Sequence, residues 1–220
     1  MDDNQIKAYW DNVFGGEAAA PPQSGDTGND VMNRGLDWLC EGAESLLDFG
    51  CGNGNMLFRC AFRGTAKHTG IDLSSGGIAR AEAVSRSMPC GSYRFVEGGI
   101  DALDEIPASS VDGVILSNIV DNVDMDNAVR ILEHAHRIAR AGARLFIKLN
   151  PYLTEQQIAE WNIRIIKDDL LDDGLLLLNM PTERWLALFD RYFKLYHCED
   201  VYFKQYDQTN RVFLMTNRPD

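Results

Sequence analysis

The sequence predicts an α/β fold in which a mostly parallel sheet is flanked by helices on both faces. Between residues 45 and 150, short apolar runs alternate with helical stretches, and strands buried in a parallel sheet are near-continuous apolar runs. A cluster of glycines follows the first of these runs. Near the carboxyl terminus, two strand-like runs at 194–203 and 211–217 flank the polar segment KQYDQTN, which predicts a closing antiparallel hairpin at the sheet edge.

The chain begins with two predicted helices before the first strand. Residues 3–14 have helical spacing and end in aromatic residues, and residues 15–29 are rich in glycine and proline, which predicts a flexible connector. A second helix starts at Asp30 and leads through Gly42 into the apolar strand SLLDF at 45–49.

The middle of the chain continues the alternation of strands and helices. The most regular helix has one apolar face, Asp124 as its amino-terminal cap and Gly142 at its end. The predicted segments are, in order, helix 55–63, strand 66–72, helix 74–88, strand 92–98, strand 111–118, helix 124–141 and strand 143–150.

The last third of the chain has a different pattern. Thr154 and Gln157 form a capping box for a helix that extends to Ile165. The segment DDLLDDGLLLLNMP predicts a turn or a short hairpin, and a proline opens the helical stretch at 181–193. We therefore expect a helical insertion after the fifth strand, at residues 151–192.

Length and composition fit a single domain over residues 1–220, with an amino-terminal helix and connector at 1–29. The chain is 45% hydrophobic and 25% charged, which is ordinary for a globular domain. No apolar run approaches the roughly 20 residues of a membrane span. The acidic start MDDNQIKAYW lacks the basic and apolar regions of a secretory signal, so we predict a cytoplasmic protein without a membrane partner.

The charge balance disfavours nucleic acid as a partner. Lysine and arginine number 21 against 33 acidic residues, for a formal net charge of -12, whereas affinity for a phosphate backbone depends on lysine and arginine. The five cysteines are scattered without a CxxC pair, and the four histidines lack metal-ligand spacing. We predict reduced thiols and no metal site.

The segment LLDFGCGNGN at 46–55 is the most informative part of the sequence. Glycines between a strand and a helix let a ligand approach the main chain at a helix amino terminus, although a GxG pattern alone fits a tight turn without ligand equally well. The spacing here is GxGxG, and Asn55 stands where the dinucleotide fingerprint GxGxxG requires glycine. The match to a pyrophosphate site is therefore incomplete.

Two acidic residues beside the glycines favour a different ligand. Asp48 precedes them in the strand, and a carboxylate there repels a pyrophosphate but attracts an ammonium group. Asp72 ends the next strand, where folds of this kind hold ribose hydroxyls. The pattern indicates a nucleoside ligand that carries a positive charge.

These features resemble the class I S-adenosylmethionine-dependent methyltransferases of the small-molecule type, whose sheet is Rossmann-like. The resemblance rests mainly on LLDFGCGNG and covers roughly residues 30–150 and the terminal strand pair. It implies S-adenosylmethionine as cofactor and S-adenosylhomocysteine as product. It also implies that the cofactor's methionine half and ribose lie against Asp48, Gly50, Cys51, Gly52, Asp72 and Leu73.

The resemblance extends less completely to the adenine and methyl positions. Gly99 stands where the family commonly has an acid that meets the adenine amine, which implies that adenine lies against the backbone of Ile100, with Asp101 as a substitute acid. Ser117 and Asn118 match the position over which the methyl group is delivered.

Polar and aromatic residues near the expected site are candidates for contact with the methyl acceptor. Asp121 is the candidate general base. Asparagine and aspartate also commonly cap helices or shape turns, and the aromatic residues of the first helix fit either a packed helix or a lid that meets the sulfonium. The candidate substrate residues are Tyr9, Trp10, Asn122, Asn150, Tyr152 and Tyr206.

The sequence therefore predicts transfer of a methyl group to an unidentified small-molecule acceptor by in-line displacement. Two alternatives stay open: an NAD-dependent oxidoreductase, which the fold and Asp72 permit, and a non-catalytic S-adenosylmethionine-binding module. The insertion at 151–192 is either a substrate cover or the surface of a homodimer.

Overall fold

The protein, described by a computed structural model over residues 3–14 and 20–219, alternates helices and strands through most of its length. The helices are α1 Asp3–Phe14, α2 Asp30–Cys40, α3 Asn55–Ala61, α4 Ser75–Ser85, α5 Met125–Ile138, α6 Glu155–Glu160 and α7 Thr182–Phe189, with a 3-10 helix at Ile100–Glu105. The strands are β1 Ser45–Phe49, β2 Lys67–Asp72, β3 Ser92–Glu97, β4 Val111–Ser117, β5 Ala139–Leu149, β6 Arg164–Lys167, β7 Leu170–Asp172, β8 Leu176–Leu178, β9 Phe193–Phe203 and β10 Gln208–Asn217.

The main sheet has seven strands in the order β3-β2-β1-β4-β5-β10-β9. The first five strands are parallel, whereas β10 pairs antiparallel with both β5 and β9. The predicted mostly parallel sheet with a closing antiparallel hairpin is confirmed. Strand order reverses between β1 and β4, and ligands of such sheets bind beyond the carboxyl ends of the strands at that point.

Apolar side chains on the two faces of the sheet form separate clusters. On β1, Leu46 packs in the cluster that includes α2 and α3, while Leu47 packs in the larger cluster that includes α5 and α7. This alternation follows from the two-residue period of a strand. It explains why β1 is apolar at successive positions, because both of its faces are buried.

Helix α5 begins as predicted but ends earlier. The side chain of Asp124 accepts a hydrogen bond from Asn127 N at 2.9 Å, which caps the helix. The helix stops at Ile138 because Ala139 already pairs with Val111 of β4. The predicted end at Gly142 is therefore wrong, and this glycine lies in β5 with φ of +77°.

The insertion combines helices with a small sheet. The capping box at Thr154 and Gln157 is present, but α6 ends at Glu160 and Asn162 adopts a left-handed conformation. Ile165, predicted to be helical, lies instead in β6. The three strands β6, β7 and β8 form an antiparallel sheet, and its β7–β8 hairpin matches the hairpin alternative of the prediction.

Helix α1 packs on the amino terminus of α4. Asp11 Oδ1 accepts hydrogen bonds from Ser74 Oγ at 2.7 Å and from Gly76 N at 3.0 Å, which lower the pKa of Asp11. Lys7 Nζ donates to Leu73 O at 3.2 Å and pairs with Glu97. A carboxylate at a helix amino terminus is favourable, so these contacts fix α1 above the ends of β2 and β3.

The predicted flexible connector falls partly outside the described residues, at 15–19. Its second half is hydrogen-bonded to α2: Thr27 N donates to Asn33 Oδ1 at 2.9 Å, and Asn33 Nδ2 donates to Asp26 Oδ1 at 2.7 Å. Among the helices in the described ranges, none has the length and apolar character needed to cross a membrane.

Candidate active site

A cavity of about 380 Å³ lies where the strand order reverses, at the carboxyl ends of β1 to β4. This volume falls within the range of small-molecule sites. Eight of the ten predicted cofactor residues line the cavity, and Asp48 and Cys51 do not. The eight are Gly50, Gly52, Asp72, Leu73, Gly99, Ile100, Ser117 and Asn118.

The glycine turn presents bare main chain to this cavity. Gly50, Gly52 and Gly54 have φ of +80°, +53° and +75°, a region that side chains other than glycine rarely adopt. A Cβ on Gly52 would lie 2.6 Å from Cζ of Phe14, which lines the same cavity. Both the backbone conformation and the available space therefore require glycine at this position.

Asp72 connects the glycine turn to the start of α4. Its Oδ2 accepts from Gly52 N at 2.7 Å and its Oδ1 accepts from Ser74 N at 2.8 Å. Burial raises the pKa of this carboxyl, against the lowering effect of the two backbone donors. Each carboxylate oxygen has a second acceptor direction, so Asp72 can hold the turn and still accept hydroxyl groups from a ligand.

Asp48 and Cys51 lie behind the turn, not in the cavity. Asp48 is 2% exposed, and its Oδ1 has no hydrogen-bond partner among the described residues. Burial, reinforced by the charge of Asp72, raises the pKa of Asp48 to about 8. The buried Sγ of Cys51 points toward Gly70 of β2, and burial raises the pKa of its thiol. Direct contact of either side chain with a ligand in the cavity is not supported.

The far end of the cavity is bounded by the 3-10 helix and by α5. Gly99 and Ile100 line this end, and Asp101 accepts from Arg130 Nη2 at 2.8 Å. Arg130 and Asn127 were not among the sequence predictions. They lie three residues apart on α5, on a polar face next to its apolar stripe, and this spacing is the signal by which they could have been found.

A chain of side-chain amides crosses the opposite end of the cavity. Asn210 Nδ2 donates to Asn118 Oδ1 at 3.4 Å, Asn118 Nδ2 donates to Asn150 Oδ1 at 3.0 Å, and Asn150 Nδ2 donates to Asn122 Oδ1 at 3.1 Å. Asn122 Nδ2 then donates to Leu176 O at 2.8 Å. This amide chain connects β10 and the ends of β4 and β5 to the insertion. Asn118 and Asn122 line the cavity, while Asn150 holds them from behind.

Asp121 does not face the cavity, so the structure does not support its predicted role as general base. Its side chain is fully buried, and Oδ2 accepts from Asn150 N at 2.6 Å. Burial raises the pKa of Asp121 to about 6. This carboxylate instead fixes the end of β5, from which Asn150 reaches Asn118 and Asn122. A base must lie within hydrogen-bond reach of the reacting group, and Asp121 does not line the site.

The aromatic candidates are divided between two places. Trp10 lines the cavity together with Ile6 and Phe14 of α1. Tyr9 is largely exposed and packs edge-on against Trp10, with ring centroids 5.2 Å apart.

The remaining substrate candidates lie in a different hollow. Asn150, Tyr152 and Tyr206 line a hollow of about 680 Å³ between the insertion and the β9–β10 loop. The sequence prediction grouped these three residues with Asn122 in one site. In the structure, Tyr152 and Tyr206 line only this second hollow, and Asn150 lies between the two spaces as part of the amide chain. Within the described part of the chain, no group of three or more histidine, cysteine or acidic residues is arranged to hold a metal ion.

Comparison with known proteins places this geometry in context. Residues 46–142, which contain β1 to β4 and α5, match the family model of a methyltransferase domain. A search of curated proteins finds no significant match.

Solved structures share the fold at low sequence identity. A S-adenosylmethionine-dependent methyltransferase from Methanosarcina mazei is 19% identical with a TM-score of 0.69, over 80% of this chain and 93% of that chain. The N-methyltransferase NodS from Bradyrhizobium japonicum, in complex with S-adenosylhomocysteine, is 12% identical with a TM-score of 0.71, over 98% and 100% of the two chains. The [4+2]-cyclase SpnF is 17% identical with a TM-score of 0.70, over 99% and 97%. At these identities the likeness shows the fold alone, and the cyclase illustrates that one fold serves different reactions.

Proposed function

We propose that the protein transfers a methyl group from S-adenosylmethionine to a small-molecule acceptor, because residues 46–142 match the family model of a methyltransferase domain and the chain is similar in fold to a S-adenosylmethionine-dependent methyltransferase. The observation that carries the proposal is the cavity itself. It combines a bare glycine turn, the Asp72 carboxylate and an uncharged polar end in one space. The methionine, ribose and methyl regions of the cofactor require these three environments.

The residues of the cavity fit this cofactor. The left-handed glycines leave room for a ligand chain against the main chain, and Asp72 retains acceptor directions for ribose hydroxyls. Asp48 adds a carboxyl with an unpartnered oxygen behind the turn, and a positive charge on a bound ligand would favour the ionised form of this carboxyl. When bound, S-adenosylmethionine supplies an activated methyl group, so the protein mainly has to align the acceptor and exclude water.

We propose that α1 serves as a lid over the cofactor. Ile6, Trp10 and Phe14 form one wall of the cavity, and the hydrogen bonds of Asp11 hold the helix on α4. The ring of Trp10 is suited to contact a sulfonium cation. The insertion acts as a second cover in this proposal, because Leu175 and Leu176 of its β7–β8 hairpin also line the cavity. A homodimer through the insertion stays a prediction.

Two other functions compete with this one. An NAD-dependent oxidoreductase would place a pyrophosphate at the glycine turn, where Asn55 stands in place of the third glycine of the dinucleotide fingerprint and disfavours such a ligand. A non-catalytic binding module would bind the cofactor without turnover. The similarity in fold to a cyclase is a further reason to test methyl transfer directly.

Thermal unfolding with separate ligands distinguishes these functions. We expect S-adenosylmethionine and S-adenosylhomocysteine to stabilise the protein by about 2.7 kcal/mol at 100 times their dissociation constants, and NAD to give no stabilisation. Stabilisation by NAD alone would favour the oxidoreductase. Cofactor binding without S-adenosylhomocysteine release across a broad set of acceptors would favour the binding module.

Substitution of Asp72 tests the position of the ribose. Asp72→Asn should weaken S-adenosylhomocysteine binding by roughly 1.5 to 3 kcal/mol, or about 10- to 150-fold, because an amide replaces one carboxylate acceptor with a donor. Isothermal calorimetry measures the change.

Asp112→Asn is a matched control for this substitution. Asp112 also accepts from two backbone amides, Glu44 N and Ser45 N, but at the amino-terminal end of β4, away from the cavity. We expect it to leave the affinity unchanged. Equal affinity for wild type and Asp72→Asn would show that the ribose lies elsewhere.

A further inference from the structure

The acceptor end of the cavity can be located from the ligand contacts proposed above, and the inference rests on that proposed function. The sulfur joins the ribose to the amino-acid chain, so its methyl group lies between the Asp72 side and the glycine turn. Ile119 meets the turn directly, with its Cδ1 3.0 Å from the position of a Cβ on Gly50. The space next to Ile119 is bounded by Asn118, Asn122 and the β7–β8 hairpin. The acceptor therefore binds against the two asparagines.

This end of the cavity carries no charged side chain among the described lining residues. Its walls are Asn118, Ile119, Asn122, Val123, Leu175 and Leu176. The charged residues of the cavity, Asp72, Asp101 and Arg130, lie toward the ribose and adenine regions. An acceptor with a full charge would lose its hydration here without gaining an ion pair. The acceptor group is therefore uncharged.

The amide chain determines which hydrogen bonds are left for the acceptor. Asn122 uses one N–H on Leu176 O and one lone pair on Asn150. An amide has two N–H donors and two acceptor directions, so Asn122 keeps one donor and one acceptor. Asn150 fixes this arrangement by contacting Asn118 and Asn122 together. A complementary acceptor donates an N–H or O–H to the remaining acceptor direction of Asn122 and keeps a lone pair free for the methyl group.

Hydroxyl and nitrogen groups both meet that requirement, and nucleophilicity separates them. A neutral hydroxyl is a weak nucleophile that needs a general base, and the lining residues described at this end offer no carboxylate, imidazole, amine or phenol. A neutral nitrogen already carries an available lone pair. We propose that the protein methylates an uncharged nitrogen, such as that of an azole or an aryl amine. Asn122 binds this group, and Asn150 is a positioning residue.

The proposed step is balanced without a protein base. The nitrogen lone pair forms the new bond to the methyl carbon, the carbon–sulfur bond breaks with its electron pair on sulfur, and the sulfonium becomes a neutral thioether. The acceptor then releases one proton to water, from the second ring nitrogen of an azole or from the methylated nitrogen of an aryl amine. The thioether product is S-adenosylhomocysteine.

Binding of matched probes to the complex with S-adenosylhomocysteine tests the inference without requiring turnover. The probes are benzimidazole, benzofuran, benzoate and benzamidinium. All four contain a benzene ring, but they differ in charge and in hydrogen-bonding groups. Calorimetry should show benzimidazole binding at least about 10-fold more tightly than the other three, as expected for paired hydrogen bonds in a desolvated site. Equal or tighter binding of benzoate or benzamidinium, or no benzimidazole binding, would overturn the proposal.

Variants of the amide chain sharpen the test. Asn122→Leu should remove the preference for benzimidazole, and Asn122→Asp should move it toward benzamidinium by placing a carboxylate at the same position. Asn150→Ser should reduce the preference for benzimidazole although Asn122 is still present. If Asn150 had a purely structural role, a variant with unchanged affinity for S-adenosylhomocysteine would keep this preference. A preference that survives Asn122→Leu would contradict the assignment.

Turnover with ¹³C-methyl-labelled S-adenosylmethionine adds a second readout. The carbon chemical shift of the product distinguishes methyl groups on nitrogen, oxygen, sulfur and carbon, and an N-methyl product of benzimidazole is expected. If a broader set of acceptors gives products methylated on another element, the nitrogen assignment is overturned, while methyl transfer itself stays supported. Failure to bind S-adenosylhomocysteine would instead reject the proposed function itself.

Discussion

Replacement of Gly52 by alanine is expected to reduce the affinity for S-adenosylmethionine by at least about 100-fold, which corresponds to about 2.7 kcal/mol. The new methyl group would lie 2.6 Å from Phe14 in the cavity wall, at a φ of +53°. It therefore disturbs both the turn and the surface that receives the ligand. Isothermal calorimetry with S-adenosylmethionine and S-adenosylhomocysteine gives the affinity.

Gly42→Ala provides the matched control for the backbone strain. Gly42 also has a left-handed φ, +74°, but a Cβ there meets nothing within 4 Å. Both variants place alanine in a left-handed conformation, whereas only Gly52→Ala also meets a neighbouring side chain and should lose binding. Similar affinities for the two variants would mean that the glycine turn does not contact the cofactor.

Replacement of Asp48 by asparagine is expected to stabilise the ligand-free protein strongly at alkaline pH. The pKa of Asp48 is raised from 3.8 to about 8 in the folded state, so the folded protein keeps a proton that the unfolded chain releases between these values. Stability of the wild type therefore falls as pH rises from about 4 to about 8, by up to about 1.4 kcal/mol per pH unit.

Asparagine does not titrate, so the variant has no side-chain proton at this position to keep or release. Its gain in unfolding free energy over the wild type should be smallest near pH 4 and should grow to the order of 5 kcal/mol above pH 8. Urea unfolding at pH 5 and pH 8.5 measures the difference. Asp126→Asn, at an exposed position of α5, should show the same difference at both pH values. If the unfolding free energies of wild type and Asp48→Asn changed in parallel with pH, the buried carboxylate would have to be ionised and have a partner.

The Asp48 prediction also connects stability with function. A buried carboxyl without a partner is costly, and removing it should make the ligand-free protein more stable. Its position behind the glycine turn gives a reason for its presence, because a positive charge on a ligand at the turn would favour the ionised form of this carboxyl. Stability lost at functional sites is a general feature of enzymes.

Much of the fold could be predicted from local patterns. Apolar runs indicated the parallel strands because both faces of β1 and β4 are buried, and the glycine turn followed from its spacing. Element ends were less predictable. Helix α5 stops where Ala139 pairs with Val111, a contact far apart in sequence, and Ile165 enters a strand because β7 pairs with it.

The site was predictable where the backbone itself forms it. Gly50, Gly52 and Asp72 line the cavity because the turn between β1 and α3 and the end of β2 are adjacent through direct strand pairing. Asp121 and Asn150 were less predictable. Asp121 follows the sequence pattern of a candidate base, but burial directs its carboxylate to Asn150 N, and this contact joins two segments 29 residues apart.

The sequence by itself determined the sheet, the glycine turn and the acid that ends β2, because these depend on hydrophobic periodicity, on left-handed backbone and on strand order. Only the tertiary structure decided which side chains face the cavity. Asp48, Cys51 and Asp121 are buried and do not line the cavity, whereas Asn122, Arg130 and Leu176 do. The orientation of each depends on packing between distant segments, and that packing has no local signature in the chain.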